Sequence, residues 1–374
     1  MDPFIVMDVM RAAADRQHAG HRVVHMEVGQ PGAPTPKTVI AAAHAALADG
    51  RIAYTEALGN RALRARIARH YADEYGVSVA MDRIAVTTGS SAGFALAFLA
   101  AFDPGARVAL AAPGYPAYRN LATAFGIEIV EIPVGADTRY ALTPEMLEAA
   151  HRDRPLDGVL IASPANPSGT VMSPAALKAL IEAAEALGIL FISDEIYHRL
   201  IYAGTAATAL QFSGDAIVVN SFSKYYCMTG WRIGWMILPE PLLRPVERIA
   251  QNLYISAPDI SQRAAIAAFD ATAELDTIKA GYAANRKLLL EHMPKIGFDE
   301  LLPVDGAFYV YASVRRFTND STAFAARMLA EAGVAATPGG DFDRARGHGF
   351  MRFSFSGTEA DMAEAMDRLS HWLK

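Results

Sequence analysis

Residues 157–194 read DGVLIASPANPSGTVMSPAALKALIEAAEALGILFISD, and this stretch decides the fold class. It holds two short apolar runs, 157–162 and 189–193, separated by a helix-like segment at 174–187. Runs that are apolar throughout, rather than alternating, are typical of strands buried on both faces of a parallel sheet. Gly188 follows the helical segment, where a glycine commonly ends a helix. The stretch therefore predicts a strand–helix–strand unit with two parallel strands.

The same alternation extends on both sides of this unit. Strands are predicted at 83–87, 106–111, 127–132, 157–162, 189–193 and 216–220, with helices at 91–101, 116–125, 144–150 and 174–187. Strands that alternate with helices along the chain are typical of an α/β domain with a mostly parallel central sheet. We therefore expect an α/β fold of this kind.

The two ends of the chain are organised differently. Helices are predicted at 6–19, 36–49, 59–75, 241–254, 259–293, 320–332 and from 358 onward, and strands at 23–28, 301–313 and 350–355. The chain has 374 residues, more than the roughly 250–300 at which a single core usually divides. We therefore expect a large α/β domain at about 46–275 and a smaller α+β domain.

Composition narrows the class of protein. Apolar residues make up 52% and charged residues 20% of the chain, which supports a packed core and argues against disorder. The net charge of −6 gives no reason to expect nucleic acid or an anionic membrane as a partner. The most apolar stretch, 94–102, is far shorter than the roughly 20 residues that a bilayer crossing needs. The single cysteine excludes an internal disulfide, and we expect a cytoplasmic protein.

A lysine follows the predicted strand at 216–220, in the sequence Ser221-Phe222-Ser223-Lys224. Parallel sheets carry their functional loops at the carboxyl ends of the strands. A lysine amine in a partly desolvated site there can form a Schiff base with an aldehyde cofactor. An ordinary surface lysine in a loop would give the same sequence, because most lysines are exposed.

Two further motifs follow the ends of predicted strands. Asp194, in the segment SDEIY, can keep a pyridine nitrogen protonated, and Tyr197 can donate to an oxygen on such a ring. Asn166, in the segment NPSG, offers an amide donor beside an X-Pro turn that can hold a cis bond. An N-cap aspartate and an ordinary loop are the structural alternatives at these two positions.

Groups suited to anions are the third feature. Ser90 and Ser91, in TGSSAG, lie where a strand turns into a helix, and free N–H groups at a helix N-terminus bind anions. Arg232, in TGWRIGW, can bind a phosphate, and Arg352, in MRFSF, can hold a carboxylate. For both arginines a structural ion pair is the alternative.

A metal site is not expected. His18, His21 and His25 are spaced like metal ligands, but Gly20 interrupts the helix, so the three need not share a face. Cys227 lies near the lysine without an obvious histidine partner, and we expect it to be a packed residue rather than a nucleophile.

Together, the segments NPSG, SDEIY and SFSK…GWRIGW, in that order, resemble the class I/II aminotransferases, which are pyridoxal-phosphate enzymes of fold type I. The resemblance covers essentially the whole chain. It implies a mostly parallel central sheet sandwiched by helices, and a small domain that combines residues 1–45 with 276–374. It also implies a homodimer with shared active sites, and transfer of an amino group from an L-amino acid to a 2-oxo acid by a ping-pong mechanism.

The resemblance assigns the catalytic groups. Lys224 matches the lysine that forms the Schiff base with pyridoxal 5′-phosphate and later acts as general base. Asp194 matches the partner of the pyridine nitrogen, and Tyr197 and Asn166 match the partners of the ring oxygen. Tyr115 matches the aromatic residue that stacks on the ring.

It also assigns the remaining contacts. The other cofactor-binding residues that it implies are Ser90, Ser91, Ser221, Ser223, Arg232 and Tyr54, the last reaching the partner subunit's cofactor across a dimer interface. Arg352 matches the arginine that holds the substrate α-carboxylate, with Gly29 and Asn166 beside it.

Substrate identity stays open at this point. The same scaffold hosts β-lyases of the cystathionine β-lyase kind and cyclopropane-forming synthases, and a β-lyase is the alternative function. The family often has a second glycine after the phenylalanine of one turn near the substrate, where this chain reads Gly339-Gly340-Asp341-Phe342-Asp343. The expected side-chain pocket consists of residues 4–6, Ser91, Tyr115, Tyr311 and 339–343, and Ser91 offers no charge for an acidic substrate.

Overall fold

A seven-stranded sheet forms the centre of the computed structural model, which describes residues 3–374. The strands, in chain order, are β1 (Val24–His25), β2 (Ile84–Thr87), β3 (Arg107–Ala112), β4 (Glu128–Pro133), β5 (Gly158–Ala162), β6 (Leu190–Asp194), β7 (Ile217–Ser221), β8 (Gly234–Ile237), β9 (Tyr309–Ser313), β10 (Val334–Ala335), β11 (Thr337–Pro338) and β12 (Phe350–Ser354). The central sheet has the order β2-β8-β7-β6-β5-β3-β4. Strand β8 is antiparallel to both neighbours, and the other pairs are parallel. The structure thus confirms the α/β class with a mostly parallel sheet.

Twelve α-helices surround the sheets in the described part of the chain. They are α1 (Ile5–His18), α2 (Lys37–Ala48), α3 (Arg61–Tyr75), α4 (Gly89–Ala101), α5 (Pro116–Ala124), α6 (Pro144–Asp153), α7 (Pro174–Ala186), α8 (Glu240–Leu253), α9 (Asp259–Ala268), α10 (Thr272–His292), α11 (Ser321–Arg327) and α12 (Glu359–Trp372). None of the helices within residues 3–374 is both long and apolar enough to cross a membrane.

Both faces of the central sheet are buried, as the apolar runs predict. In β7, Val218 belongs to the hydrophobic cluster on one face, and Ile217 and Val219 belong to the cluster on the other. The register places Asp194 at the end of β6 beside Ala162 of β5 and Val219 of β7. The carboxyl ends of three parallel strands therefore meet at one edge of the sheet.

Several boundaries differ from the expectation. The sequence analysis missed β8, because its four residues lie inside a Gly- and Trp-rich segment. The helix expected at 259–293 is two helices, α9 and α10, joined by a turn in which the Thr272 hydroxyl donates to the Phe269 carbonyl at 3.4 Å. The strand expected at 23–28 is only β1, and the one expected at 301–313 is only β9.

The two ends of the chain lie together. Val24 of β1 pairs in parallel with Val334 of β10, and α10 packs against α12. Strands β11, β12 and β9 form a separate antiparallel sheet, in which Arg352 lies opposite Tyr311. The boundary expected at residue 45 falls inside α2, which packs against α9.

Candidate active site

The predicted site residues converge on one cleft. It lies at the carboxyl ends of the central strands, beside the N-terminus of α4 and facing the sheet that contains β9 and β12. Every residue predicted to contact the cofactor or the substrate carboxylate lines this cleft, except Tyr54 and Ser221. Of the expected side-chain pocket, Tyr311 and residues 339–343 do not line it. Residues from seven separate parts of the chain thus meet in one place.

Lys224 follows β7 and carries its amine into the cleft. Its Nζ donates a hydrogen bond to the Gly29 carbonyl at 2.5 Å. Burial, together with the positive charges of Arg352 and Arg232, lowers the pKa of this amine to about 8, against a smaller opposite effect of Asp194. More of the amine is therefore uncharged near neutral pH than in an ordinary lysine, and the uncharged form is the one that acts as nucleophile or base.

Asp194, at the end of β6, is 3% exposed and is held by two donors. Its Oδ1 accepts a hydrogen bond from the Ile196 N–H at 2.9 Å, and its Oδ2 accepts one from the Tyr118 hydroxyl. Burial raises the pKa of this carboxyl to about 6, although both hydrogen bonds and Lys224 oppose the rise. A carboxylate fixed in this way would gain stability from a cationic ring nitrogen beside it.

The N-terminus of α4 and Arg232 form an anion cradle. Ser90 and Ser91 lie in the first turn of α4, where backbone N–H groups lack helical partners. Gly89 has a φ of +76°, and a Cβ there would lie 2.4 Å from a guanidinium nitrogen of Arg232. Only glycine therefore lets the arginine approach the helix terminus this closely.

Two predicted cofactor residues lie outside the lining of the cleft. The Ser221 hydroxyl lies 2.9 Å from the Ser223 hydroxyl and 3.1 Å from the Ile233 carbonyl, so it supports the turn that carries Ser223 and Lys224. Tyr54 is 79% exposed and does not line this chain's own cleft.

Arg352, on β12, is 3% exposed and clamped in position. Its Nη1 donates to Asn166 Oδ1 at 3.0 Å, and its Nη2 donates to the Glu27 carbonyl at 2.6 Å. Its Nε is buried without a hydrogen-bond partner, which leaves a donor for an anionic ligand. Asn166 begins the expected turn, and its bond to Pro167 is cis.

Two tyrosines of the cleft escaped the sequence analysis. Tyr118 lies three residues after Tyr115 on α5, a helical spacing that could have revealed it. Tyr309, on β9, contacts the hydroxyl of Tyr197 at 2.7 Å. Tyr311, expected in the pocket, does not line the cleft but stacks on Phe350 at a ring distance of 5.1 Å.

Three apolar side chains at the start of α1 line one side of the cleft, and we call them the roof. They are Phe4, Val6 and Met7. The carboxylate of Asp341 accepts hydrogen bonds from the backbone N–H groups of Ile5 and Val6, both at 3.3 Å. The loop that departs from the family's pattern therefore holds the roof in place.

The remaining motifs take part in packing. Cys227 is buried, and burial raises its thiol pKa to about 11, which makes it unreactive. His25 Nδ1 lies 2.8 Å from a carboxylate oxygen of Glu27. In residues 3–374, no group of three potential ligands could hold a metal ion.

Comparison with known proteins identifies the family. The family model for aminotransferase class I and II matches residues 21–369. A valine–pyruvate aminotransferase of Mycobacterium tuberculosis is 52% identical across 99% of this chain and 96% of that protein. A crystal structure of an aminotransferase from Mycobacterium tuberculosis has a TM-score of 0.97 and 51% identity, and covers 100% of this chain and 97% of that chain. The aspartate aminotransferase of Thermus thermophilus with maleate has a TM-score of 0.94 and 29% identity, with 99% and 97% covered.

The chain belongs to the class I and II aminotransferases. It is an aminotransferase of fold type I, and its cofactor is pyridoxal phosphate. The cleft fits this cofactor chemically: it offers an amine of lowered pKa at Lys224, a buried carboxylate at Asp194 and an anion cradle at Arg232.

Proposed function

We propose that this aminotransferase moves an amino group from an amino acid with an uncharged side chain, of the valine class, to pyruvate. The two substrates use the same cleft in turn, so the kinetics are ping-pong. The single observation that carries this proposal is the charge inventory of the cleft. The likeness to a valine–pyruvate aminotransferase, 52% identical, supports it.

Each cationic side chain of the cleft has a role in this reaction. Among residues 3–374, the cationic side chains that line it are Lys224, Arg232 and Arg352. Lys224 holds the cofactor, Arg232 its phosphate, and Arg352 the substrate α-carboxylate. A second substrate carboxylate would find no further cation of this chain, and leaving it unpaired and desolvated would be costly. Ser91, the apolar roof and Asp341 behind it suit an uncharged side chain.

The residues divide the chemistry among them. Bound pyridoxal phosphate supplies an electron sink for the bond that breaks at the substrate Cα. Lys224 would hold the cofactor covalently, and its amine, once the substrate amine has replaced it, would take the proton from the substrate Cα as general base and later give it back. Asp194 stabilises the cationic ring nitrogen, and Tyr197 and Asn166 contact the ring oxygen. Arg352 and the Gly29 backbone orient the carboxylate, which fixes the Cα–H bond for removal.

The phosphate and ring contacts complete the site. Ser90, Ser91, Ser223 and Arg232 would hold the phosphate at the start of α4, and the Ser221 hydroxyl bonds that of Ser223. The Tyr115 ring would pack on the cofactor ring.

A donor and acceptor panel tests the substrate class. We expect the kcat/KM for valine with pyruvate to exceed that for aspartate with 2-oxoglutarate by at least about tenfold. Parallel lines in double-reciprocal plots would support the ping-pong order. Equal or better rates with the two dicarboxylates would contradict the proposal. Release of ammonia from a β-substituted amino acid without an acceptor would favour the β-lyase alternative.

Removal of the lysine tests the covalent attachment. In Lys224→Ala, the visible absorption band of the lysine-bound cofactor should be lost, and so should transamination. The surface lysine of α7 provides a control, because Lys178 only pairs with Glu182 at 3.6 Å. Lys178→Ala should keep both band and activity. A dialysed Lys224→Ala protein that retains the band would refute the assignment.

We further propose a homodimer in which Tyr54 reaches the partner subunit's cleft. Its ring is exposed, and so are the apolar side chains of Ile52, Leu253 and Ile255. The Thr55 N–H donates to the Ser256 hydroxyl at 3.3 Å, which brings the two segments together. A contact between copies would remove these surfaces from water. A monomer on analytical ultracentrifugation of the active protein would contradict this proposal.

The domain boundaries and the location of the protein are also proposals. The pairing of β1 with β10 supports a small domain built from both ends of the chain, and the packing of α2 on α9 favours placing the first boundary before α2. The cytoplasmic location stays a prediction.

A further inference from the structure

Tyr309 contacts three of the site residues at once. It lies on β9 and is 1% exposed. Its hydroxyl lies 2.7 Å from the Tyr197 hydroxyl, and its ring faces the Arg352 guanidinium with 4.3 Å between the ring centroid and Cζ. A Cβ at Gly29 would lie 1.8 Å from the Tyr309 hydroxyl oxygen, so this tyrosine also requires a glycine at position 29.

We propose that Tyr309 is a positioning residue for both the cofactor and the substrate: its hydroxyl orients Tyr197, and its ring orients Arg352. The inference rests on the proposed roles of those two residues. The sequence motifs do not contain Tyr309, and the contacts just described assign it this role.

The Tyr309 hydroxyl acts by donating its hydrogen bond to the Tyr197 hydroxyl. A phenol has a single proton to donate, and the Tyr309 hydroxyl has Tyr197 as its hydrogen-bond partner. When Tyr197 donates into the cleft, Tyr309 has to donate to Tyr197. A hydroxyl that accepts one hydrogen bond becomes a stronger donor in the next. Tyr309 therefore strengthens the hydrogen bond that Tyr197 offers to a ring oxygen.

The ring of Tyr309 acts on the arginine together with a second ring. The Arg352 guanidinium lies over the rings of Tyr309 and Phe342, with Cζ 4.3 Å and 4.7 Å from their centroids. The two aromatic faces restrict the orientation of the guanidinium plane. The hydrogen bonds to Asn166 and to the Glu27 carbonyl hold its two Nη atoms. The free Nε–H is thus held in a set direction before any carboxylate arrives.

The Tyr309→Phe variant isolates the hydroxyl. Without it, Tyr197 becomes a weaker donor, so the pH at which the visible band of the holoenzyme titrates should rise by about half a unit. Tyr311→Phe is the matched control: Tyr311 is equally buried on the same strand, but its hydroxyl bonds the Gly339 carbonyl. The control should titrate like the wild type. An unchanged midpoint in Tyr309→Phe would overturn this half of the proposal.

The Tyr309→Met variant isolates the ring when it is compared with Tyr309→Phe. The probe is isovalerate, a carboxylate with the skeleton of valine and no amine, whose binding is measured by titration calorimetry. Binding should weaken by about tenfold in Tyr309→Met and stay within about twofold in Tyr309→Phe, which keeps the aromatic face. Methionine fills irregular space, and the melting temperature of each variant checks its folding. Should Tyr309→Met fail to fold, Tyr309→Leu takes its place.

The outcomes separate this inference from the proposed function. If Lys224→Ala keeps the visible band, the proposed attachment of the cofactor at Lys224 fails. If Lys224→Ala loses the band while both Tyr309 variants titrate and bind like the wild type, only the role of Tyr309 fails. Equal weakening of isovalerate binding in the Phe and Met variants would overturn the role of the ring.

Discussion

The amine of Lys224 lies 2.5 Å from the carbonyl oxygen of Gly29, although 195 residues separate the two along the chain. Lys224 follows a strand of the central sheet, and Gly29 follows the short strand that pairs with β10. The proposed attachment point of the cofactor therefore lies where the central sheet meets the two chain ends. Changes on either side of the cleft should alter the behaviour of this amine.

The lowered pKa of Lys224 predicts how the cofactor-free enzyme takes up its cofactor. Only the neutral amine attacks an aldehyde, so the rate of attachment should rise with pH around a midpoint near 8 instead of near 10.5. Stopped-flow recording of the visible band after mixing with pyridoxal phosphate gives this profile.

The variant Arg352→Gln tests whether neighbouring positive charges lower the Lys224 pKa. Arg352→Gln removes the first of the two positive charges that lower the Lys224 pKa, so its midpoint should move upward. A wild-type midpoint above 10, or a downward shift in the variant, would contradict the assigned cause.

Asp194→Asn should reduce turnover far more than cofactor binding. The amide cannot stabilise a cationic ring nitrogen, so kcat should fall by at least about a hundredfold, while cofactor affinity changes by only a few-fold. The neighbouring Glu195→Gln is the control: its carboxylate accepts hydrogen bonds from Thr208 and Ala209 outside the cleft. Near wild-type turnover in Asp194→Asn would contradict the proposal that Asp194 stabilises the cationic ring nitrogen.

Arg352→Lys should raise the KM of every amino donor by about tenfold or more with a smaller change in kcat. A lysine keeps the charge but loses the fork that a carboxylate fits, along with the contacts to Asn166 and Glu27. Arg315→Lys serves as the control, because Arg315 lies over the Phe350 ring at 4.7 Å, away from the cleft. Steady-state kinetics with several donors decide the matter, and an unchanged KM would mean that another residue holds the carboxylate.

Asp341→Ala should loosen the roof of the cleft. The backbone N–H groups of Ile5 and Val6 lose their acceptor, so amide hydrogen exchange at the start of α1 should become faster. The KM for valine should rise several-fold, with cofactor affinity unchanged. Asp343→Asn, which disturbs the same loop through Arg346, separates the roof contact from general loop damage. Exchange rates like those of the wild type would contradict the role of Asp341.

Local sequence features predicted the parts of the site that lie next to strand ends. Asp194 and Lys224 follow buried strands, and the carboxyl ends of parallel strands share one sheet edge, so their proximity followed from topology alone. Tyr309 could not be found in this way, because it lies on a strand of a different sheet. Tyr309 and Tyr311 are two residues apart on β9 and share a face of the strand, so the sequence does not distinguish them. Only the packing of the folded chain brings Tyr309 to Tyr197 and Tyr311 to Phe350.

The sequence alone determined the α/β class and the family, and it predicted which residues could hold the cofactor, because apolar periodicity and short motifs are local properties of the chain. The tertiary structure decided which side chains meet across the cleft: Tyr118 with Asp194, Tyr309 with Arg352, and Asp341 with the start of α1. Such contacts join segments far apart in the chain, and their distances depend on how whole sheets and helices pack. No local pattern encodes that packing.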